Sequence, residues 1–158
     1  MFTIGVFAII LNKHIQILLS HRNDMDTWNL PGGGMKPYET PINALIREVK
    51  EETGLTVTIN KIVALNSKPQ DSEIVLTFLC EIKKGKVKLS DEADEHRWFS
   101  LKDLPLNTVP KQLERICFFF QNPEKVFLKI QNQSGTKDLL KTGKLEILNK
   151  KLLKKYLG

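Results

Sequence analysis

The stretch GGMKPYETPINALIREVKEETGL, residues 33–55, decides the reading of this chain. Its second half has the punctuation of a helix. Thr40 suits an N-cap, Pro41 the first helical position, and Gly54 the residue just past the end. Ile42, Leu45, Ile46 and Val49 recur at helical spacing. On a wheel of about 100° per residue centred near Ile42, Glu48, Glu51 and Glu52 fall in one arc about 100° wide, beside the apolar stripe. Arg47 and Lys50 lie outside that arc. Carboxylates at i, i+3 and i+4 repel by roughly 0.2–0.5 kcal/mol per pair, so a cation should offset them. Hard divalent ions such as Mg²⁺ take oxygen ligands and share carboxylates with substrate phosphates. Taken alone, the helix also fits a solvated acidic face.

Working outward, Phe2–Leu11 and Ile15–Ser20 read as strands joined by a turn at Asn12, Lys13 and His14. The segment from His21 to Tyr38 holds Pro31, Gly32, Gly33, Gly34 and Pro37 and cannot be regular throughout. Further strands are expected over Val57–Ala64, Ile74–Ile82 and Arg97–Phe99, and a second helix over Lys111–Phe120, stopped by Gln121-Asn122-Pro123. Strands mixed with few helices point to a mixed sheet with helices packed against it, an α+β or α/β sandwich. The opening run MFTIGVFAIIL lacks a basic lead and a cleavage site, and is shorter than the ~20 apolar residues that span a bilayer. It reads as a buried strand, with no membrane span.

The chain has 158 residues, 41% hydrophobic and 27% charged, enough for one domain with a real core and too few for two large ones. Cys80 and Cys117 sit among apolar neighbours, which argues for buried thiols, a reducing compartment and a cytoplasmic location. The net charge of +6 lies in one place: from Pro123 onward nine lysines face only Glu124, Asp138 and Glu146, and the rest of the chain is neutral. The expected division is therefore a domain over residues 1–122 and a lysine-rich extension over 123–158. Within the extension, Leu145, Leu148, Leu152, Leu153 and Tyr156 share a face opposite Lys144, Lys150, Lys151, Lys154 and Lys155, an amphipathic helix. That face can dock on the domain's own core, pair with a second subunit, or contact RNA or an anionic surface.

From Gly33 to Leu55 the residues also obey the pattern G-x5-E-x7-R-E-U-x-E-E-x-G-U, with U aliphatic. Seven fixed and two aliphatic positions coincide by chance on the order of once in 10⁷ chains of this length at average residue usage. The pattern resembles the signature of the Nudix (MutT-type) hydrolases with no departure. Arg22 with WNLPGGG at 28–34, and EHRWFSL at 95–101 followed by Asp103-Leu104-Pro105, resemble the flanking segments of that family. The resemblance covers about residues 1–120 and implies a Nudix-type α/β/α sandwich. It also implies water-driven cleavage of a nucleoside diphosphate linked to another moiety, with Mg²⁺ or Mn²⁺ as cofactor.

Carried over residue by residue, the resemblance makes Glu48, Glu51 and Glu52 metal ligands and catalytic groups, with Glu48 orienting or deprotonating the attacking water. Glu39 and Arg47 become a structural pair, and Glu95 an extra ligand or base. Arg22, Trp28, Gly33 and Gly34 become substrate-binding candidates, although Arg22 also suits the surface and Trp28 also suits packing under the loop. A small nucleotide is the expected partner, for a monomer or homodimer. Nucleic acid is possible but not favoured. The alternatives are an RNA 5′ pyrophosphohydrolase, for which the lysines would neutralise phosphates, and a non-catalytic nucleotide-binding regulator on the same fold. The latter usually lacks box carboxylates, and this chain keeps them all.

Overall fold

The computed structural model describes residues 1–158. In chain order it contains β1 (Thr3–Leu11), β2 (Ile17–Arg22), β3 (Trp28–Asn29), β4 (Gly32–Gly34), α1 (Pro41–Thr53), β5 (Thr56–Lys68), β6 (Glu73–Lys84) and β7 (Ala93–Phe99). Beyond these come α2 (Pro110–Gln121), β8 (Phe127–Ile130), α3 (Thr136–Lys141) and α4 (Leu145–Leu157). The strands form one sheet in the order β3-β2-β1-β6-β5-β8, with β4 added on β1 and β7 on β2. β1–β6 and β5–β8 are parallel and the other pairs antiparallel, so the sheet is mixed.

The apolar run of β1 is explained by burial on both sheet faces. Val6, Ala8 and Ile10 pack with Ala44, Leu45 and Val49 of α1, while Ile9 packs with Leu113, Ile116 and Cys117 of α2. This alternation gives the α/β/α sandwich. Both cysteines are free and buried, and burial pushes their thiols up to about 12.

α1 begins and ends where its sequence indicates. Thr40 Oγ1 accepts the Asn43 N–H at 3.1 Å, and Gly54 turns the chain at φ 82°. The buried face of the helix, however, is not centred on Ile42. That residue is 48% exposed, and the buried residues are Ala44, Leu45, Val49, Glu52 and Thr53. The loop ahead of α1 is fastened to it by Arg47, which donates to both oxygens of Glu39, at 2.7 and 2.9 Å, and to the carbonyl of Gly34 at 3.2 Å.

Residues 123–158 are joined to the domain by sheet and core alike. β8, a strand absent from the sequence expectation, runs parallel to β5. α4 lays its leucine face on α2, burying Leu145 and Leu152, and leaves Lys150, Lys151, Lys154 and Lys155 exposed. Of the three destinations open to that face, the chain's own core is the one observed. Asn149 Nδ2 donates to the carbonyls of Leu106 and Thr108, each at 2.7 Å, and Tyr156 Oη donates to buried Glu114 at 3.0 Å.

This packing makes Leu152 and Lys151 a useful contrast. Leu152→Ala should lower unfolding free energy by about 2–4 kcal/mol, against under about 0.5 for Lys151→Ala, in urea titrations. A second expectation concerns Glu39, whose carboxyl is held at about 2 by the Arg47 hydrogen bonds and then by the Lys36 N–H. A depressed carboxylate contributes stability above its unfolded value and loses it as pH falls through the folded one. The stability gap between the wild type and Glu39→Gln should therefore be constant above about pH 5 and close between about pH 4.5 and 2.

Candidate active site

The three helix carboxylates grade from buried to exposed around α1: Glu52 is 8% exposed, Glu48 half-buried, Glu51 exposed. Glu52 therefore belongs to the face that α1 turns inward, deeper than a stripe centred on Ile42 implies. Its Oε2 accepts the N–H of Gly32 at 3.1 Å. Burial pushes its carboxyl up to about 7, against the pull of that N–H, and the like charges of Glu92 and Glu48 add to the rise. Glu48 lies against Gly33, where a side-chain Cβ would stand 2.5 Å from the Glu48 carboxyl carbon. A side chain at 33 would therefore push the Glu48 carboxylate out of its present place.

Arg47 reaches the same group. Its Nη1 donates to Glu48 at 2.9 Å and to Glu51 at 3.3 Å, while the rest of the guanidinium holds Glu39 and Gly34. Glu39 and Arg47 are thus in direct contact through two hydrogen bonds.

Two clefts meet at these carboxylates. The smaller, of 190 Å³, is lined by Glu48, Glu51, Glu52, Ser90, Asp91 and Glu92, with no apolar residue. The larger, of 440 Å³, shares Glu52, Asp91 and Glu92 with it and extends past Arg22 and Gly33 to Phe7 and Gln112. No three Glu, Asp, His or Cys side chains are drawn close enough to form a finished ligand set, since Arg47 holds oxygens of Glu48 and Glu51. The donors themselves suit a hard divalent cation: every charged group of the small cleft is a carboxylate, and there is neither sulfur nor imidazole to favour a softer metal.

Glu95 is not among them. It lies within β7, where its carboxylate pairs with Arg97, and it lines neither cleft. The acids that face α1 are Asp91 and Glu92, in the turn just before β7, where the Asn23 N–H donates to the Glu92 carbonyl. β7 begins at Ala93 and pairs with β2, with Glu95 opposite His21, while Glu92 precedes the strand and lines the small cleft.

Trp28 is corrected too. Its indole is buried, edge-on to His21 and Phe99 at 5.1 Å each, under the guanidinium of Arg97, and it does not line the cleft. Gly34 lies outside the cleft lining and serves through its carbonyl, which accepts from Arg47. Arg22 and Gly33 do line the cleft, and Arg22 is held by Asp24 at 2.7 and 2.5 Å. Sequence reasoning offered no role for Phe7, Asn29, Gln112 or Thr136, which also line it. Phe7 is hidden in an apolar strand, and the others carry no spacing signal.

The sequence and the fold resemble those of known proteins. A family model for the NUDIX domain matches residues 1–119. A Bacillus subtilis protein provisionally named an 8-oxo-dGTP diphosphatase is 32% identical over 144 residues, covering 89% of this chain and 97% of its own length. An ADP-ribose pyrophosphatase of Methanocaldococcus jannaschii is 33% identical over 103 residues, 61% of each chain. The crystal structure of a NUDIX hydrolase from Nitrosomonas europaea superposes with a TM-score of 0.76 at 23% identity, over 83% of this chain and 79% of that one, and shares the fold. The chain belongs to the Nudix family, whose members hydrolyse acid anhydrides in phosphorus-containing compounds.

Proposed function

We propose that this enzyme is a divalent-metal-dependent pyrophosphohydrolase that cleaves a nucleoside diphosphate linked to another moiety by attack of water at phosphorus. The observation that carries the reading is the group of five carboxylates, Glu48, Glu51, Glu52, Asp91 and Glu92, around one small cleft that opens into a larger one. Glu48, Glu51 and Glu52, with Glu92 opposite, would hold Mg²⁺ or Mn²⁺. When bound, such an ion neutralises phosphate oxygens and activates water near neutral pH. The chain's residues do the placing. Gly33 lets Glu48 approach the loop, and Arg47 fixes the first two carboxylates relative to the helix. Glu52 is kept dry at the junction of the clefts, and Arg22 can exchange Asp24 for a phosphate with the same two-pronged geometry. The names of the two relatives, acting on an 8-oxo-dGTP and on ADP-ribose, support a nucleotide diphosphate as the common chemical feature.

The test is turnover on a panel of (d)NTPs, ADP-ribose, nucleotide sugars and triphosphorylated RNA with Mg²⁺ or Mn²⁺, run in heavy-oxygen water. Label is expected in a phosphate-bearing product, with no turnover in excess chelator. Glu51→Gln and Glu52→Gln should each lower kcat by 10²-fold or more, about 3 kcal/mol of transition-state stabilisation, with unfolding curves retained. Full activity of both variants would overturn the assignment.

A further inference from the structure

Docking on α2 accounts for the leucines of α4 and leaves its lysines without a partner. Lys150, Lys151, Lys154 and Lys155 are exposed on the outer face, and none lies within ion-pair distance of a carboxylate. The same holds for Lys137 and Lys141 of α3 and for Lys144 in the turn between the two helices. Only Asp138 and Glu146 oppose these seven lysines over residues 136–158. Lys150 and Lys154, like Lys151 and Lys155, are four residues apart on α4, where like charges repel. An anion lying along the helix offsets that repulsion. The lysines begin beside the larger cleft. Thr136 lines it with Arg22 and Asp24, and Lys137 follows in sequence. The Asp24 carboxyl is held below its ordinary value by the Arg22 hydrogen bonds, and Lys137 adds to that pull. Lys150 lines a 280 Å³ groove with Asn107 and with Asp26, which belongs to the same loop as Asp24.

We propose that the lysine face of α3 and α4 binds the phosphate backbone of single-stranded nucleic acid and holds a strand beside the cleft. The chemistry of the face selects this partner. Lysine is a flexible point charge that suits a phosphate without reading the group attached to it. Residues 136–158 contain no arginine, and their one aromatic side chain, Tyr156, donates its hydroxyl to buried Glu114. The face therefore has neither the forked donors that read base edges nor the aromatic and arginine anchors of a protein interface. An anionic membrane needs an apolar face to enter it, and the leucine face that would supply one is packed against α2. A phosphate backbone asks only for repeated cations, and the counterions it releases supply the binding energy. The neighbouring cleft, of 440 Å³, admits the end of one strand and is too small for a duplex. The surface lies beyond residues 1–119, the span matched by the family model, and its binding is independent of the hydrolysis proposed above.

The experiment is fluorescence anisotropy of labelled oligo(U) RNA and oligo(dT) DNA of about 20 nucleotides, enough for one site. Each strand carries a 5′ hydroxyl and is titrated with the full chain in EDTA, so that no reaction intervenes. Both should bind, and log affinity should fall against log salt with a slope of about −3, as for four or five phosphate contacts on a single strand. The combined variant Lys150→Ala, Lys151→Ala, Lys154→Ala, Lys155→Ala should bind tenfold or more weaker, with a slope of about −1 and its urea unfolding midpoint retained. Arginine at the same four positions should keep the affinity. An equal loss of charge at the exposed Lys83, Lys84, Lys86 and Lys88, at the end of β6 and just beyond it, should change affinity by less than about twofold. No binding of either strand, an alanine variant with wild-type affinity and slope, or an equal loss at the β6 lysines would each overturn the surface. So would tighter binding of a duplex of the same length, or lysine-dependent binding to phosphatidylserine vesicles with none to the strands. Strand binding that depends on the α4 lysines, in a protein that hydrolyses no diphosphate, would overturn the reaction proposed above and leave the surface supported.

Discussion

The guanidinium of Arg47 ties the loop before α1 to two of the three helix carboxylates. Its planar fork grips both oxygens of Glu39, so the loop entering α1 cannot swing away, and it also reaches the Gly34 carbonyl, Glu48 and Glu51. A lysine could not satisfy this many acceptors in one plane. Three carboxylates on neighbouring turns repel one another, and Arg47 offsets two of them without touching Glu52, which lies deeper and takes its hydrogen bond from Gly32. The result is a graded set: one carboxylate dry and fixed by backbone, one braced against a glycine, one facing water. Arg47 is itself partly buried, and its pKa is raised by the Glu39 hydrogen bonds above all, so it stays charged at any relevant pH.

The helix and its caps were legible because local rules determine them: a threonine cap, a first-turn proline, a terminating glycine and apolar residues at helical spacing. The sandwich emerged from the same periodicities, with β1 buried on both faces. The depth of Glu52 was not legible, since a wheel can be centred only on residues assumed to be inside, and Ile42 is largely exposed. The acid that completes the small cleft was displaced for a tertiary reason. Glu95 falls under the pairing of β7 with β2, while Glu92 stands in the turn before it, and only the packed structure shows which of them faces α1.

The C-terminal segment teaches the same lesson from the other direction. Its charge suggested an appendage, but lysine content describes only the face that water sees. The decisive residues are uncharged: Leu152 in the core, Asn149 satisfying two carbonyls, and the glutamines that tie the segment to α2. Four residues, Phe127–Ile130, with one buried side chain, were too short a pattern to announce a strand, and β8 forms because β5 offers it a parallel edge. The lining of the larger cleft by Thr136 arises from that docking and has no counterpart in local sequence.

The central proposal is that α1 and the turn before β7 together hold a divalent cation. The most direct measurement is Mn²⁺ affinity by electron paramagnetic resonance for wild type, Glu52→Gln, Glu92→Gln and Glu95→Gln. Affinity is expected to weaken tenfold or more in the first two variants and to stay at the wild-type value in Glu95→Gln. Wild-type affinity in Glu52→Gln and Glu92→Gln, with loss in Glu95→Gln, would contradict it.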